Sequence, residues 1–377
     1  MKILIVGGGM GGTILANNLA RRLKGELKAN KAKITMLSAS AQHMYQPGLL
    51  YVALGRMAVD ELYRDQAGLL EPGIEFHVDP VEEFNLGSNN VRTKSGKTYD
   101  YDLIVISTGS RAVPETIPGL AENSINVYTE ENALNFFKTI SQFEGGRVLL
   151  VVGVPHKCPM IPPELTFTLY DYFQDRGILD KVSFHYTYPI GRLHSLEPVS
   201  DWMKGEFEQR GVTYETLFNM KEVDGKNKVV ISEEGSEAKY DLLVAVPAHK
   251  GMEVVENNKL GAGGWIPVNR NRLNIDGYDN AFAIGDTTNI PISKAGSTAH
   301  FEAEALAENI ASLVKIGSPV RDYDGKVFCF IEAGKDRATY AMFNYNNPPD
   351  PKPPTRGVHW FKMAYNQLYW ASARGLL

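Results

Sequence analysis

Two groups of residues in this chain have types and spacings that can do chemistry. The first is Gly7-Gly8-Gly9-Met10-Gly11-Gly12, which satisfies G-x-G-x-x-G at Gly7, Gly9 and Gly12. The first glycine of such a loop makes a tight turn. The second lets a pyrophosphate approach the backbone, and the third lets a helix pack closely on its strand. The helix after the loop aims unpaired N–H groups and a positive dipole end at the phosphates. The second group surrounds Cys158, with Lys157 before it and Glu164 beyond it. A lysine neighbour and a helix starting near Pro163 both favour a thiolate. The other cysteine is Cys329, within Val327-Phe328-Cys329-Phe330. Free cysteine is often a buried packing residue, so the count alone leaves both readings open.

The elements that must hold these residues are legible around them. Lys2 to Val6 is an apolar strand running straight into the glycine loop. A helix from about Gly12 to Leu23 carries Leu15, Leu19 and Leu23 on one face. Ile34 to Leu37 is the next strand, 74–78 and 91–93 have hairpin character, and 103–106 is a buried strand. Arg147 to Val152 opens a second βαβ-like unit whose helix begins near Pro163, a residue well tolerated in a first turn. Further strands lie at 182–185, 229–231, 242–246 and 281–284. The Pro-rich stretch Asn347 to Pro354 reads as a stiff linker to a final helix from His359 to Arg374.

Composition removes several classes. A chain of 377 residues exceeds one core and implies two or three domains. A net charge of −5 with no block of like charge argues against nucleic-acid binding. No apolar run reaches the ~18 residues that span a bilayer. No secretory signal precedes the first strand, so a cytoplasmic chain, on a membrane surface or free, is expected. Two distant cysteines make no disulfide framework, and the eight histidines lack metal-ligand spacing.

Two further motifs come after apolar strands, Ile104-Val105-Ile106-Ser107-Thr108-Gly109-Ser110 and Ala283-Ile284-Gly285-Asp286. With the glycine loop they resemble the two-dinucleotide-binding-domain flavoproteins of the glutathione reductase superfamily, over residues 1 to about 315. The resemblance implies an α/β fold with two Rossmann-like domains and a bound FAD. The FAD domain would be discontinuous, 1–113 and 250–318. The second domain would be 114–249, and 319–377 a C-terminal region facing membrane and quinone. The FAD set it implies is Gly7, Gly9, Gly12, Ser38, Val81, Thr108, Gly109 and Asp286. Ser38 departs from the pattern, since it stands where an acidic residue usually meets the adenosine ribose.

The second unit has lost its own phosphate loop. In Val152-Gly153-Val154-Pro155-His156-Lys157-Cys158-Pro159 only Gly153 survives, and Pro155 lacks an N–H. Gly153-x4-Cys158-x4-Pro163-Glu164, Val246-Pro247-Ala248-His249-Lys250-Gly251 and Val327-Phe328-Cys329-Phe330 together resemble the sulfide:quinone oxidoreductases. The resemblance implies that Cys158 and Cys329 flank the flavin and pass sulfur between them, with Glu164 as an acid beside the reacting thiol. It implies that Lys294 lies near the flavin pyrimidine edge. A disulfide accepts hydrosulfide by exchange and leaves a persulfide on one sulfur; either cysteine can be that carrier. Many members hold a third cysteine where this chain has Tyr128, so a noncovalent FAD is expected. The family histidine matches Arg192 or His194.

Trp360, Phe361, Ala364, Tyr365, Leu368 and Tyr369 recur at helical spacing. Such a helix lies in a membrane interface or packs on its own body. By the resemblance this region lines the quinone site, with Phe330, Tyr365 and Tyr369 as contacts, on the cytoplasmic side of a membrane. One helix is short for an anchor, which leaves weak attachment or a homo-oligomer. The expected partners are thus a small sulfur compound, a membrane quinone and a lipid surface. The rival readings are a type II NADH:quinone oxidoreductase, a soluble sulfide dehydrogenase and a non-catalytic flavoprotein.

Overall fold

A computed structural model describes residues 1–377. β1 (Lys2–Val6) is buried from Ile3 onward and turns through the glycine loop into α1 (Met10–Arg22). The glycines explain that close approach. A Cβ on Gly12 would overlap the Gly7 carbonyl, and one on Gly7 would overlap the Ser107 carbonyl. β2 (Lys33–Ser38) pairs parallel with β1, β3 (Ile74–Val78) with β2, and β4 (Leu103–Ile106) with the other side of β1. Such strands are covered on both faces, so they read as apolar runs. Ile74–Val78 therefore differs from its hairpin reading: it is the parallel edge strand of this sheet. The residues around Val91 do form an antiparallel sheet, with strands Val81–Asn85 and Thr98–Asp100 on either side.

The second unit repeats the plan. β5 (Gly146–Val152) leads to α2 (Ile161–Asp175), then β6 (Val182–Tyr188), β7 (Thr213–Thr216) and β8 (Leu242–Val246), in the sheet order β7-β6-β5-β8. The chain then returns. β9 (Ala281–Ala283) adds to β4, so the first sheet reads β9-β4-β1-β2-β3, and α3 (Gly296–Ile316) packs against α1.

Beyond α3 the chain crosses over to the second unit. The hairpin β10 (Val327–Gly334) and β11 (Arg337–Phe343) places Val327, Cys329 and Ile331 in the core that holds Leu165, Phe167 and Leu169 of α2. Each fully buried side chain of that kind contributes about 1.5–3 kcal/mol, which fixes β10 against α2. Residues 347–354 lack regular structure, as read, but they are tied down: the Thr339 hydroxyl donates to the Lys352 carbonyl at 2.7 Å. The final helix starts earlier than expected, because Thr355 caps it by accepting from the Val358 N–H at 3.1 Å. It also breaks at Leu368, giving α4 (Arg356–Gln367) and α5 (Tyr369–Ala373). No helix is long and apolar enough to cross a membrane.

Candidate active site

The three cofactor motifs converge at the ends of the first sheet. Ser107 N–H bonds the Val6 carbonyl and Ile284 N–H bonds the Ile106 carbonyl, so the loops after β1, β4 and β9 lie side by side. Gly7 and Gly12 are filled by backbone, but a Cβ on Gly9 would meet nothing within 4 Å. That open cradle faces the uncapped N-terminus of α1. Ser38 ends β2 beside Gly8, and Val81 is buried just beyond β3. Thr108 Oγ1 lies 3.1 Å from Thr287 Oγ1, Gly109 has a positive φ of 78°, and Ser110 donates to Asp286 Oδ2 at 3.1 Å.

Lys294 completes this group. Its ammonium donates to the Thr288 carbonyl at 2.5 Å and the Asp286 carbonyl at 3.2 Å, above the Trp265 ring at 4.3 Å. Burial lowers its pKa, against the pull of Asp286 and Glu302. Glu302 holds the Gly285 N–H at 2.6 Å through one oxygen, while the other is buried without a partner. Burial pushes this carboxyl up to about 8. An open backbone cradle, a free helix N-terminus and an orphaned buried oxygen fit a dinucleotide cofactor.

The loop after β5 positions Cys158. Gly153 is retained because a Cβ there would press on the Ala248 backbone N. The Cys158 N–H donates to the Lys294 carbonyl at 2.7 Å, which ties the cysteine loop to the first domain's lysine. Cys158 has a φ of 51°, a left-handed conformation unusual outside glycine. His194, not Arg192, supports this loop. His194 Nδ1 accepts from Leu196 N–H at 3.0 Å, so Nε2 carries the proton and donates to the Pro159 carbonyl at 2.9 Å. Burial drives this ring down to about 4, so it stays neutral. Arg192 instead binds the carbonyls of His194 and Ser195. Tyr128 lies against the same loop, its ring edge-on to His249 at 4.4 Å.

Cys329 reaches the site from β10. Its Sγ lies 4.0 Å from Ser297 Oγ on α3. Both cysteines belong to one apolar cluster, Cys329 inside it and Cys158 packed against it. The expected thiolate is not what this environment favours. Burial raises the Cys158 pKa, and the neighbouring Cys329 and Glu164 raise it further. Burial likewise pushes Cys329 up to about 11. Lys157 does not compensate, because its ammonium is held by Gln46 Oε1 at 3.0 Å. A helix terminus supplies only about 0.3–1 kcal/mol in ordinary settings, less than the desolvation it opposes.

Glu164, one turn into α2, joins an ion cluster that the sequence reading missed. Its carboxylate accepts from Lys362 Nζ at 2.5 Å and from the Glu332 N–H at 2.8 Å. Lys362 Nζ also lies 3.5 Å from Glu332, whose carboxylate is 3.1 Å from His359 Nδ1. Burial raises the Glu164 pKa, with Lys362 as the main opposing influence. Burial alone would lower Lys362, but Glu164, Tyr51 and Glu332 outweigh it and hold the ammonium charged. The only hint in the sequence was charge inside apolar surroundings: Glu332 ends a run of strand residues, and Lys362 sits among aromatics.

An aromatic edge lies beside this cluster. Phe330 packs 5.7 Å from both Phe361 and Tyr365 and 4.8 Å from Phe328. Trp360 and Phe361 are 67% and 62% exposed, so this face of α4 is not packed on the chain's own body. Tyr369 lies elsewhere, its hydroxyl 2.9 Å from His43 Nε2 and its ring 4.3 Å from Tyr45.

Several known proteins are similar to this chain. Residues 1–178 match the pyridine nucleotide-disulphide oxidoreductase family. The chain is 30% identical to the mitochondrial sulfide:quinone oxidoreductase of Dictyostelium discoideum, over 91% of this chain and 78% of that one. It is 25% identical to the mitochondrial sulfide:quinone oxidoreductase of Mus musculus, over 92% and 79%. The solved sulfide:quinone oxidoreductase of Aquifex aeolicus superposes with a TM-score of 0.86 at 24% identity, over 99% of this chain and 91% of that one, and so shares the fold.

Proposed function

The chain belongs to the sulfide:quinone oxidoreductase family and is an FAD-dependent oxidoreductase; on that premise we propose that it oxidises sulfide at the Cys158–Cys329 pair and passes the electrons to a quinone at the aromatic edge. The observation that carries this reading is the convergence of two cysteines, 171 positions apart (329 − 158), on one buried cluster faced by Glu164. Gly7, Gly9, Gly12, Ser38, Val81, Thr108, Gly109, Asp286 and Lys294 would hold FAD, which supplies a two-electron acceptor between sulfur and quinone.

The chain's own residues account for the rest. Hydrosulfide attacks one sulfur of a Cys158–Cys329 disulfide; that S–S bond breaks, a persulfide forms on the attacked cysteine, and the other sulfur leaves with a proton taken from Glu164. Two high-pKa thiols make poor leaving groups in isolation, so a neighbouring acid is needed. Glu164 would supply it in its protonated form, which burial favours against the pull of Lys362, and its carboxylate would then be free to accept a proton. Oxidation of HS⁻ to bound S⁰ releases two electrons and one proton, and Glu164 is placed to take that proton. His194 fixes the Cys158 loop so that exchange occurs at one geometry. Phe330 and Tyr365 form the quinone end, whereas Tyr369, turned toward His43 and Tyr45, is not part of it. The exposed Trp360 and Phe361 beside it suit peripheral attachment to a membrane surface.

Stopped-flow absorbance of the holoenzyme tests this reading. Micromolar sulfide bleaches the flavin quickly and a soluble quinone restores it, whereas NADH bleaches it poorly. Fast bleaching by NADH would move the chain's activity to the NADH dehydrogenases.

A further inference from the structure

Four buried ionisable side chains form successive close pairs that reach from Glu164 to the protein surface, and the reaction uses only the first. Glu164 and Lys362 are 2.5 Å apart, Lys362 and Glu332 3.5 Å, and Glu332 and His359 3.1 Å. His359 Nε2 then lies 3.9 Å from Asp336 Oδ1 at the turn of the β10–β11 hairpin. The first four residues are each less than a tenth exposed, while the Asp336 side chain is 74% exposed. His359 and Lys362 stand three residues apart on α4, which puts them on one face. Tyr51, Tyr45 and the two cysteines also bear on Lys362, and the Tyr51 hydroxyl accepts from Asn366 at 2.8 Å. A cross-brace between α4 and β10 needs one ion pair. Extending it by a second carboxylate and an imidazole adds desolvation with no packing gain.

We propose that Glu332 and His359 form a proton inlet, carrying protons from solvent at Asp336 to the buried Lys362–Glu164 pair. The inference rests on the quinone reading above. A quinone takes two electrons and two protons to become a quinol, whereas hydrosulfide gives up two electrons and one proton. The balance is HS⁻ + Q + H⁺ → S⁰ + QH₂, so one proton per turnover comes from water. Glu164 and Lys362 are each less than a tenth exposed, so a proton that reaches this pair from water needs a path. Imidazole suits the outer position because it has a nitrogen facing each way and can take a proton on one while releasing one from the other. Here Nε2 faces exposed Asp336 and Nδ1 faces Glu332, which in turn borders Lys362.

The test separates the two half-reactions on full-length holoenzyme, with sulfide reducing the flavin and a short-chain soluble quinone reoxidising it. His359→Ala leaves reduction by sulfide intact and slows reoxidation by on the order of 100-fold, the lower end of what a positioned proton carrier contributes. Added imidazole restores reoxidation in proportion to its protonated fraction. His359→Gln, which keeps a donor toward Glu332, slows reoxidation equally and so separates proton transfer from folding. Glu332→Gln slows it too, but imidazole does not rescue it. Reoxidation of His359→Gln at the wild-type rate, or a slow His359→Ala indifferent to imidazole, overturns the inlet while the quinone reading stands. A sulfide-reduced wild type that no quinone reoxidises overturns that reading and the inlet with it.

Discussion

Replacing Lys362 by methionine isolates the ion cluster beside the cysteines. In the native chain its ammonium sits 2.5 Å from Glu164 and 3.5 Å from Glu332, all three buried. Methionine keeps the length of the stem, so the change removes charge more than volume. Deleting one partner of a buried pair costs about 3–5 kcal/mol, because the remaining charge is uncompensated. Glu164 responds by protonating. Burial already holds Glu164 above its ordinary value and Lys362 is the strongest influence pulling it down, so its loss drives Glu164 higher. A carboxyl with a raised folded pKa binds an extra proton in the folded state, so stability falls as pH rises from the unfolded value through the folded one. The deficit of Lys362→Met is therefore largest at about pH 8 and shrinks toward about pH 5. Urea and thermal midpoints at both pH values measure it. A double variant with Glu164→Gln recovers part of the loss. A deficit below about 1 kcal/mol, typical of an exposed pair, or one equal at both pH values, would refute the reasoning.

The glycine loop gives a contrasting pair. Gly12→Ala lowers the melting temperature, since a Cβ there overlaps the Gly7 carbonyl and overpacking costs about 1–3 kcal/mol; Gly9→Ala keeps the fold but loses FAD on dialysis, measured as the ratio of flavin to protein absorbance. With Tyr128 beside the Cys158 loop where a third cysteine would stand, acid precipitation leaves the flavin in the supernatant, and yellow colour in the pellet contradicts this. Changing Trp360 and Phe361 together to serine weakens co-sedimentation with lipid vesicles by at least about tenfold, given ~1.5 kcal/mol or more per buried aromatic. Undiminished vesicle binding would assign that face to another role.

The parts of this molecule set by local pattern were readable in the sequence. Lys2 to Val6, the glycine loop and α1 come from one apolar run and three glycines, and α1 begins within two residues of its expected start. The second βαβ unit was likewise legible, from the apolar run 147–152 and the prolines that open its helix. What was hidden depends on which segments cross over. β10 leaves the first unit's side and packs on α2, and α4 packs on β11 beside it; together they bring Glu332, His359 and Lys362 to Glu164 from up to 198 positions away. No spacing rule reports such a meeting. The Cys158 thiol shows the same limit: its neighbours in sequence favoured a thiolate, but Lys157 points to Gln46 and burial dominates. The edge strand Ile74–Val78 and the break at Leu368 were likewise decided by tertiary pairing and capping.

The central claim is that Cys158 and Cys329 act as one unit on sulfide. Sulfide-dependent flavin reduction in Cys158→Ser, Cys329→Ser and the double variant tests it directly. FAD content and melting temperature on the same samples confirm folding, since serine is nearly isosteric. Each single change abolishes reduction and the double change is no worse, because exchange needs both an attacking and a leaving sulfur. Reduction retained in either single variant would contradict it.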